Sequence, residues 1–576
     1  MTAAEIRSRI IEVVGRNGGH LASSLGAVEI SMALAEVFDP GRDRVVWDVG
    51  HQAYAWKMLT DRCGKSFDTL RETDGMAPFP TPAESAADAA VAGHAGVALS
   101  VAEGLAAARD ARGTDEHVVA VVGDAAIVNG TSLEALNNLA ASTRKVIVVL
   151  NDNGMSISRP VGSLAKFLGR LIASVRYNRV KAAAERTGHR LRLTFLRNAY
   201  HGLESRVKSW FLGNAFFEQF GLRYIGPVDG NDLDAVRAAL TVAKEDKRSV
   251  IVHAVTRKGM GYAPAEGNPT AYHGVSPGGL SAGAAAAGAG VGWSEAFGAA
   301  VSALARRDRR VVALTAGMKD GTGLAGFAEE FPGRFYDVGI AEGHMVAFAA
   351  GLAAGGMRPV VAVYSTFLQR AADQVMHDVC ISGLPVVFCV DRAGVVGRDG
   401  PTHQGVFDVA MFRCLPNLVV AQPCDAEDLG RMLDEAVARG GPTLLRYPRG
   451  NVPPPSGIAG SAPAVELENP GARVQIWATG DRLATARAVA ARTGSGVVFA
   501  RYLKPFDEEL LRRQRAGGKR IVSIENGSVA GGFGEAIGAD LRFGWPDSFV
   551  PHGSVGELER RCGLDADSIA EVLENG

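Results

Sequence analysis

Two stretches of this sequence set oxygen donors directly behind apolar runs. One is Val121-Val122-Gly123-Asp124-Ala125-Ala126; the other is Val148-Val149-Leu150-Asn151-Asp152-Asn153-Gly154. Each run reads as a buried strand that breaks at once into small and polar residues. Ser132–Leu139 between them reads as a helix. A strand, a crossover helix and a second strand put both carboxyl ends on one edge of a parallel sheet. That edge is where α/β sheets bind ligands. Asp124 and Asn153 can then converge from neighbouring strand ends. One carboxylate and one amide oxygen suit Mg²⁺, which keeps other positions for water and phosphate oxygens. A magnesium-held diphosphate site is the expectation.

Other candidates fall in loops. His20 lies in the Gly/Ser-rich turn 17–26, His51 follows a short strand ending at Asp48, and His94 sits in Ala92-Gly93-His94-Ala95-Gly96 ahead of a helix over 97–110. Alone, His20 reads as part of a helix-capping turn. Three loop histidines ahead of a phosphate site shift the balance towards function. Lys258, in the Gly-flanked loop Arg257–Tyr262 after a strand over 249–256, suits a phosphate contact. Glu342 heads a helix, from about 343, that is almost wholly apolar and so predicted buried. It reads either as an N-terminal helix residue at a domain face or as a buried acid bonded to a ligand's ring nitrogen. Tyr364, Arg392, Asp399, His403 and Arg449 all fall at or after strand ends. Two arginines so placed suit bidentate capture of a phosphate monoester, and His403 suits proton donation to a substrate oxygen. Each also reads as ordinary loop structure; together they make a pocket with a phosphate end and an acid–base end.

The elements that must position these residues are α/β throughout. The chain has 576 residues and 71 glycines, enough for roughly three to five domains with many tight turns. Residues 1–275 form the first expected domain, with a basic helical insertion over about 156–220. A low-complexity linker covers 276–292. A second domain covers 293–455, and 456–576 form a third, opening after Pro453-Pro454-Pro455. Parallel or mostly parallel sheets are expected in all three. A net charge of -1 supports neither a nucleic-acid nor a membrane partner. The start Met1–Arg7 lacks a basic-then-apolar leader, no apolar run spans a bilayer, and six scattered cysteines read as reduced thiols. A cytoplasmic protein is the expectation.

Several motifs carry a resemblance. WDVGHQAY (47–54), LNDNGMSIS (150–158), YIGPVDG (224–230), YSTFLQRA (364–371), DRAGVVG (391–397), DGPTHQG (399–405) and RYPRG (446–450) run through nearly the whole chain. They resemble the 1-deoxy-D-xylulose-5-phosphate synthase family, thiamine-diphosphate enzymes of the transketolase group. The resemblance implies a transketolase-like fold, thiamine diphosphate and Mg²⁺ as cofactors, and a homodimer. It implies pyruvate and D-glyceraldehyde 3-phosphate as substrates, giving 1-deoxy-D-xylulose 5-phosphate and CO₂, the first step towards isoprenoids and a supply of thiamine and pyridoxal precursors. It implies Asp124, Asn153 and the carbonyl of Met155 as Mg²⁺ ligands. His51, Gly93, His94, Ala95, Ala125, Ala126, Lys258 and Tyr262 fall around the cofactor, and Glu342 on N1′ of the aminopyrimidine. Tyr364, Arg392, Asp399 and Arg449 fall in the acceptor pocket, and His20, His51, His273 and His403 handle substrate binding and protons.

Four positions depart from the family pattern: Ala125 for a glycine, Ala95 for a serine, Gly343 for a glutamine and Arg398 for a small residue. Ala125 is harmless only where φ is negative. Arg398 and Gly343 would suit a related carboligase with another acceptor or 2-oxo acid. Ala125 would suit a cofactor-binding paralogue with poor turnover.

Overall fold

The computed structural model describes residues 1–154, 162–163, 216–280 and 290–575. Most of the expected insertion, Met155 and part of the expected linker lie outside the described residues. Two compact units divide the chain: Met1–Arg71 with Gly75–Ala286, and Glu72–Asp74 with Ala287–Gly576.

The first unit is built on a five-stranded sheet. Its strands are β1 (Arg44–Trp47), β2 (Val118–Gly123), β3 (Ile147–Asp152), β4 (Arg223–Asp229) and β5 (Val250–Val255), in the order β1-β2-β3-β5-β4. Every pairing is parallel. The valine-rich runs of β2 and β3 are buried along nearly their whole length, as central strands covered on both faces must be. Helix Gly130–Ser142 crosses between them, and the Asn129 side chain caps it by accepting from the Thr131 N–H at 3.0 Å. The helix before β2 spans Ala98–Arg112 and stops at Gly113, in the left-handed conformation that ends helices.

The second unit holds two sheets. The larger contains β6 (Val311–Thr315), β7 (Phe335–Asp337), β8 (Arg358–Tyr364), β9 (Val387–Asp391), β10 (Val419–Ala421) and β11 (Thr443–Arg446). The other contains β12 (Ala464–Glu468), β13 (Val474–Thr479), β14 (Gly496–Ala500), β16 (Arg520–Ser528) and β17 (Leu541–Trp545), ordered β12-β14-β13-β16-β17. Strand β15 (Tyr502–Lys504) follows β14 in the chain but joins the larger sheet, which runs β15-β10-β11-β9-β8-β6-β7. It pairs antiparallel with β10, so that sheet is mixed rather than wholly parallel. Strand β10 has only three residues, and an uncovered edge would leave its backbone groups unpaired. Strand β12 is likewise antiparallel to β14.

Helix Glu342–Ala354 departs from the expectation of full burial. Glu342, Met345, Val346, Ala349, Ala350 and Ala353 are buried, whereas His344, Ala347, Gly351 and Ala354 are exposed in the single chain. Apolar composition all round implies cover on every side, and the chain covers only one. Among the described residues no helix is long and apolar enough to cross a membrane.

Candidate active site

In the first unit the histidines converge. Gly19 and Val275 exchange two backbone hydrogen bonds of 2.8 Å, which ties the turn 17–26 to the segment around His273. Gly19 sits at φ +140°, and a Cβ there would lie 2.7 Å from the Tyr54 hydroxyl. The next N–H, of His20, donates to that hydroxyl at 3.3 Å. Ser24 Oγ donates to the His51 carbonyl at 2.9 Å. The result is a triangle of rings: His20–His51 at 6.0 Å, His20–His273 at 5.7 Å and His51–His273 at 5.4 Å between centroids. So the turn at His20 does more than cap a helix. His51 Nδ1 lies 2.9 Å from the Val49 carbonyl, so Nδ1 carries the proton and Nε2 is left as acceptor. Loss of solvent, then the Lys258 charge, push the His51 pKa down to about 3. His273 is pushed well below the usual imidazole range by burial, Lys258 and the other two histidines. Both are neutral imidazoles at ordinary pH.

The strand ends bring charge to the same unit. Asp124 is 5 % exposed. Burial, then the Asp152 charge, push its carboxyl well above the usual range, against Lys258 and two backbone N–H groups. Burial draws Lys258 down to about 8, with Asp124 opposing. A buried carboxylate beside a second one, with an amide one residue from that second acid, is a donor set that a divalent cation would satisfy. Gly123 to Ala126 form a turn in which Ala126 N–H donates to the Gly123 carbonyl at 3.0 Å. Ala125 is absent from the residues with positive φ, so a methyl there costs no backbone strain. Gly93 is buried, and His94 and Ala95 are half-buried in the loop before the helix Ala98–Arg112. Tyr262 packs on Tyr272 at 5.8 Å between ring centroids.

Three groups in this region escaped the sequence reading. Asp48 accepts from Gly96 N–H at 2.8 and 3.0 Å and from Ala98 N–H at 3.0 Å, which fixes the His94 loop to the end of β1. His253 Nε2 bonds Asp152 Oδ2 at 2.9 Å, and Tyr224 hydroxyl bonds His253 Nδ1 at 2.8 Å. This buried chain holds Asp152 beside Asn153. A histidine in mid-strand with an acid at a neighbouring strand end was its only signal.

In the second unit Glu342 is the first residue of its helix and 4 % exposed. Among the described residues its Oε2 has no hydrogen-bond partner, and it lies 3.6 Å from Arg370. Burial outweighs Arg370 and raises the pKa. A buried acid with an unsatisfied oxygen fits a ligand's ring nitrogen. A Cβ on Gly343 would meet the Gln374 carboxamide at 3.1 Å, so Gln374 fills the space beside it.

The acceptor candidates gather at the ends of β8, β9 and β11. Arg392, at φ +58°, lays its guanidinium 4.0 Å from the Tyr364 ring centre. Left-handed backbone at a charged residue marks a position held by its surroundings. Arg449 pairs with Asp399 at 3.2 Å and stays half exposed. His403 bonds Thr402 Oγ1 at 2.9 Å and packs edge-on against Phe367, which stacks on Tyr364. Asp391, the last residue of β9, is fully buried with Ser294 on one oxygen at 2.6 Å. Burial raises its pKa to about 6. A folded pKa above the ordinary 3.8 means stability is complete below that value and falls as pH rises through about 6. Asp391→Asn should therefore stabilise the protein by about 3 kcal/mol at pH 8 and by almost nothing at pH 3.5. Thermal melting across that range checks it, and a gain independent of pH would refute it.

Among the described residues, no group of three or more acids, histidines or cysteines could hold a metal ion, so a cation site built from those residues would draw also on amide, carbonyl or phosphate oxygens. Parallel strand ends carrying these residues define an α/β protein with ligand-binding strand ends. Residues 1–256 match the family model described as 1-deoxy-D-xylulose-5-phosphate synthase, 289–455 the transketolase pyrimidine binding domain and 464–569 the transketolase C-terminal domain. A 1-deoxy-D-xylulose-5-phosphate synthase of Oleidesulfovibrio alaskensis is 43% identical, over 99% of this chain and 94% of that protein. A second, synthase 2 of Geobacter sulfurreducens, is 45% identical over 99% and 95%. The chain belongs to the 1-deoxy-D-xylulose-5-phosphate synthase family.

Proposed function

We propose that this protein condenses pyruvate with D-glyceraldehyde 3-phosphate to 1-deoxy-D-xylulose 5-phosphate and CO₂. The observation that carries the reading is 43% and 45% identity to such synthases along almost the whole chain. Thiamine diphosphate, when bound, supplies the electron sink that decarboxylation and carbon–carbon bond formation require. Asp124, Asn153 and the Met155 carbonyl would hold Mg²⁺ on the diphosphate. Lys258 adds a positive charge, while Gly93, His94, Ala95, Ala125, Ala126 and Tyr262 shape the cradle. Glu342 would hold a hydrogen bond to N1′ of the aminopyrimidine.

His51 and His273 act as neutral donors and acceptors. His51 accepts at Nε2, with Nδ1–H committed to Val49. His20 and His273 bond substrate oxygens, and His403 gives a proton to the aldehyde oxygen. Arg392, braced on Tyr364, and Arg449, tethered to Asp399, take the acceptor phosphate. On this reading 1–275 bind the diphosphate, 293–455 the aminopyrimidine, 276–292 link them and 456–576 form the C-terminal domain. The open apolar face of Glu342–Ala354, with exposed Met376 and Ile381 nearby in the chain, supports a homodimer.

A second reading, a related carboligase with another acceptor, is favoured by Arg398, a half-buried cation beside Asp399. CO₂ release from pyruvate, with and without D-glyceraldehyde 3-phosphate, separates them. Release that requires this aldehyde is the expected result. Release indifferent to it favours the second reading, and no release in either arm overturns both.

A further inference from the structure

We propose that Asn526, on β16 of the third sheet, is a positioning residue for the acceptor site: its carboxamide fixes the loop 394–405 that carries Asp399 and His403. This rests on the acceptor pocket assigned above. Asn526 is buried, and its amide orientation is set by partners that admit only one choice. Nδ2 donates to Asp481 Oδ2 at 2.9 Å, and a carboxylate only accepts. Oδ1 accepts from the Trp545 indole N–H at 2.8 Å, a group that only donates, and from Val395 N–H at 3.4 Å.

The loop lies directly on this amide. Gly394 sits at φ +83°, and a Cβ there would come within 2.2 Å of Cγ, Oδ1 and Nδ2 of Asn526. Gly394 and Gly405 exchange backbone hydrogen bonds of 2.7 Å in both directions, so the amide supports the closed base of the loop. The same residue reaches the other arm of the pocket. Its carbonyl accepts from Arg446 at 2.8 Å, and Arg446 precedes Arg449 by three residues at the end of β11. Arg446 also donates to Gln422 at 2.6 Å, and Gln422 donates to Asp481 at 2.7 Å. The ring Asn526–Asp481–Gln422–Arg446 therefore closes, with every member satisfied. A fully satisfied buried network is stiff, and both strand-end loops hang from it.

Asn526→Asp tests the idea, because it keeps the shape but sets a carboxylate against Asp481. KM for D-glyceraldehyde 3-phosphate should rise about tenfold or more, as expected when a phosphate clamp is misplaced. KM for pyruvate and affinity for thiamine diphosphate should stay within about twofold, and turnover with unphosphorylated D-glyceraldehyde should change less than about threefold. An unchanged KM for the phosphorylated aldehyde overturns the proposal, and so does an equal loss on every parameter. If that variant melts below assay temperature, Trp545→Phe removes one donor to Oδ1 and is read the same way. Hydrogen exchange reads the contact without turnover. Faster exchange over 395–405, with β8 and β9 unchanged, supports it; unchanged exchange overturns it. A wild-type protein that makes no 1-deoxy-D-xylulose 5-phosphate defeats the proposed reaction, and exchange still decides the role of Asn526.

Discussion

Glu342→Gln lowers kcat for CO₂ release by about 10³-fold, within the range that proton transfer by one positioned acid supplies, while the fold melts no earlier than wild type. The first half follows from the chemistry of the site. Glu342 Oε2 is buried without a hydrogen-bond partner among the described residues, and a glutamine keeps the shape while losing the exchangeable acid proton. The second half follows from the sign of the pKa shift. Burial raises the carboxyl above its ordinary 4.5 even after the pull of Arg370 at 3.6 Å is included. The folded protein thus favours the neutral acid, and stability falls as pH climbs from 4.5 towards the raised value. Glutamine removes that cost. Arg370 is partly exposed, so losing its ion pair costs about 1 kcal/mol at most. Thiamine diphosphate affinity, read by intrinsic tryptophan fluorescence, should fall much less than kcat. A Gln variant with near-wild-type turnover would refute the role.

The sequence disclosed the strand ends because a parallel sheet writes them plainly. Buried runs such as Val118–Val122 and Ile147–Leu150 stop at Asp124 and at Asp152-Asn153, and few other folds end apolar runs that way. The histidine triangle was not legible as geometry. His20, His51 and His273 come from three separate segments, and the Gly19–Val275 bridge, the Ala22–Tyr272 backbone bond and the Ser23–His273 contact bring the first and last together. The chain Tyr224–His253–Asp152 was missed for a related reason. Period-two alternation tells which face a strand residue takes but not what lies across from it. One strand went unread on length, and one expectation failed on context. Strand β15 has three residues, too few for a pattern, and it crosses to a sheet begun some 190 residues earlier. The helix Glu342–Ala354 is apolar on every side, and hydropathy alone does not separate burial in a chain's own core from burial against another chain. Ala125 raised a question that only a backbone angle could answer.

Asp124→Asn should split binding from stability. Asp124 is buried, faces the charge of Asp152 and has Lys258 as its cationic counterweight. Asp152 is held by His253 at 2.9 Å and by the Gly154 N–H at 3.1 Å. A buried carboxylate facing a second one is a cost to the cofactor-free protein and a benefit only when a cation arrives. Asparagine keeps one oxygen donor but removes the charge. Mg²⁺-dependent binding of thiamine diphosphate should weaken by at least about 100-fold, or about 2.7 kcal/mol. The cofactor-free variant should melt at or above the wild-type temperature, the usual sign that a site's residues are kept for function against stability. Titration calorimetry with Mg²⁺ present, beside melting of the cofactor-free proteins, measures both. Unweakened binding would remove Asp124 from the metal site. A cofactor-free variant several degrees less stable would instead make Asp124 a structural acid, since only a group that the apo fold needs is missed before the cation binds.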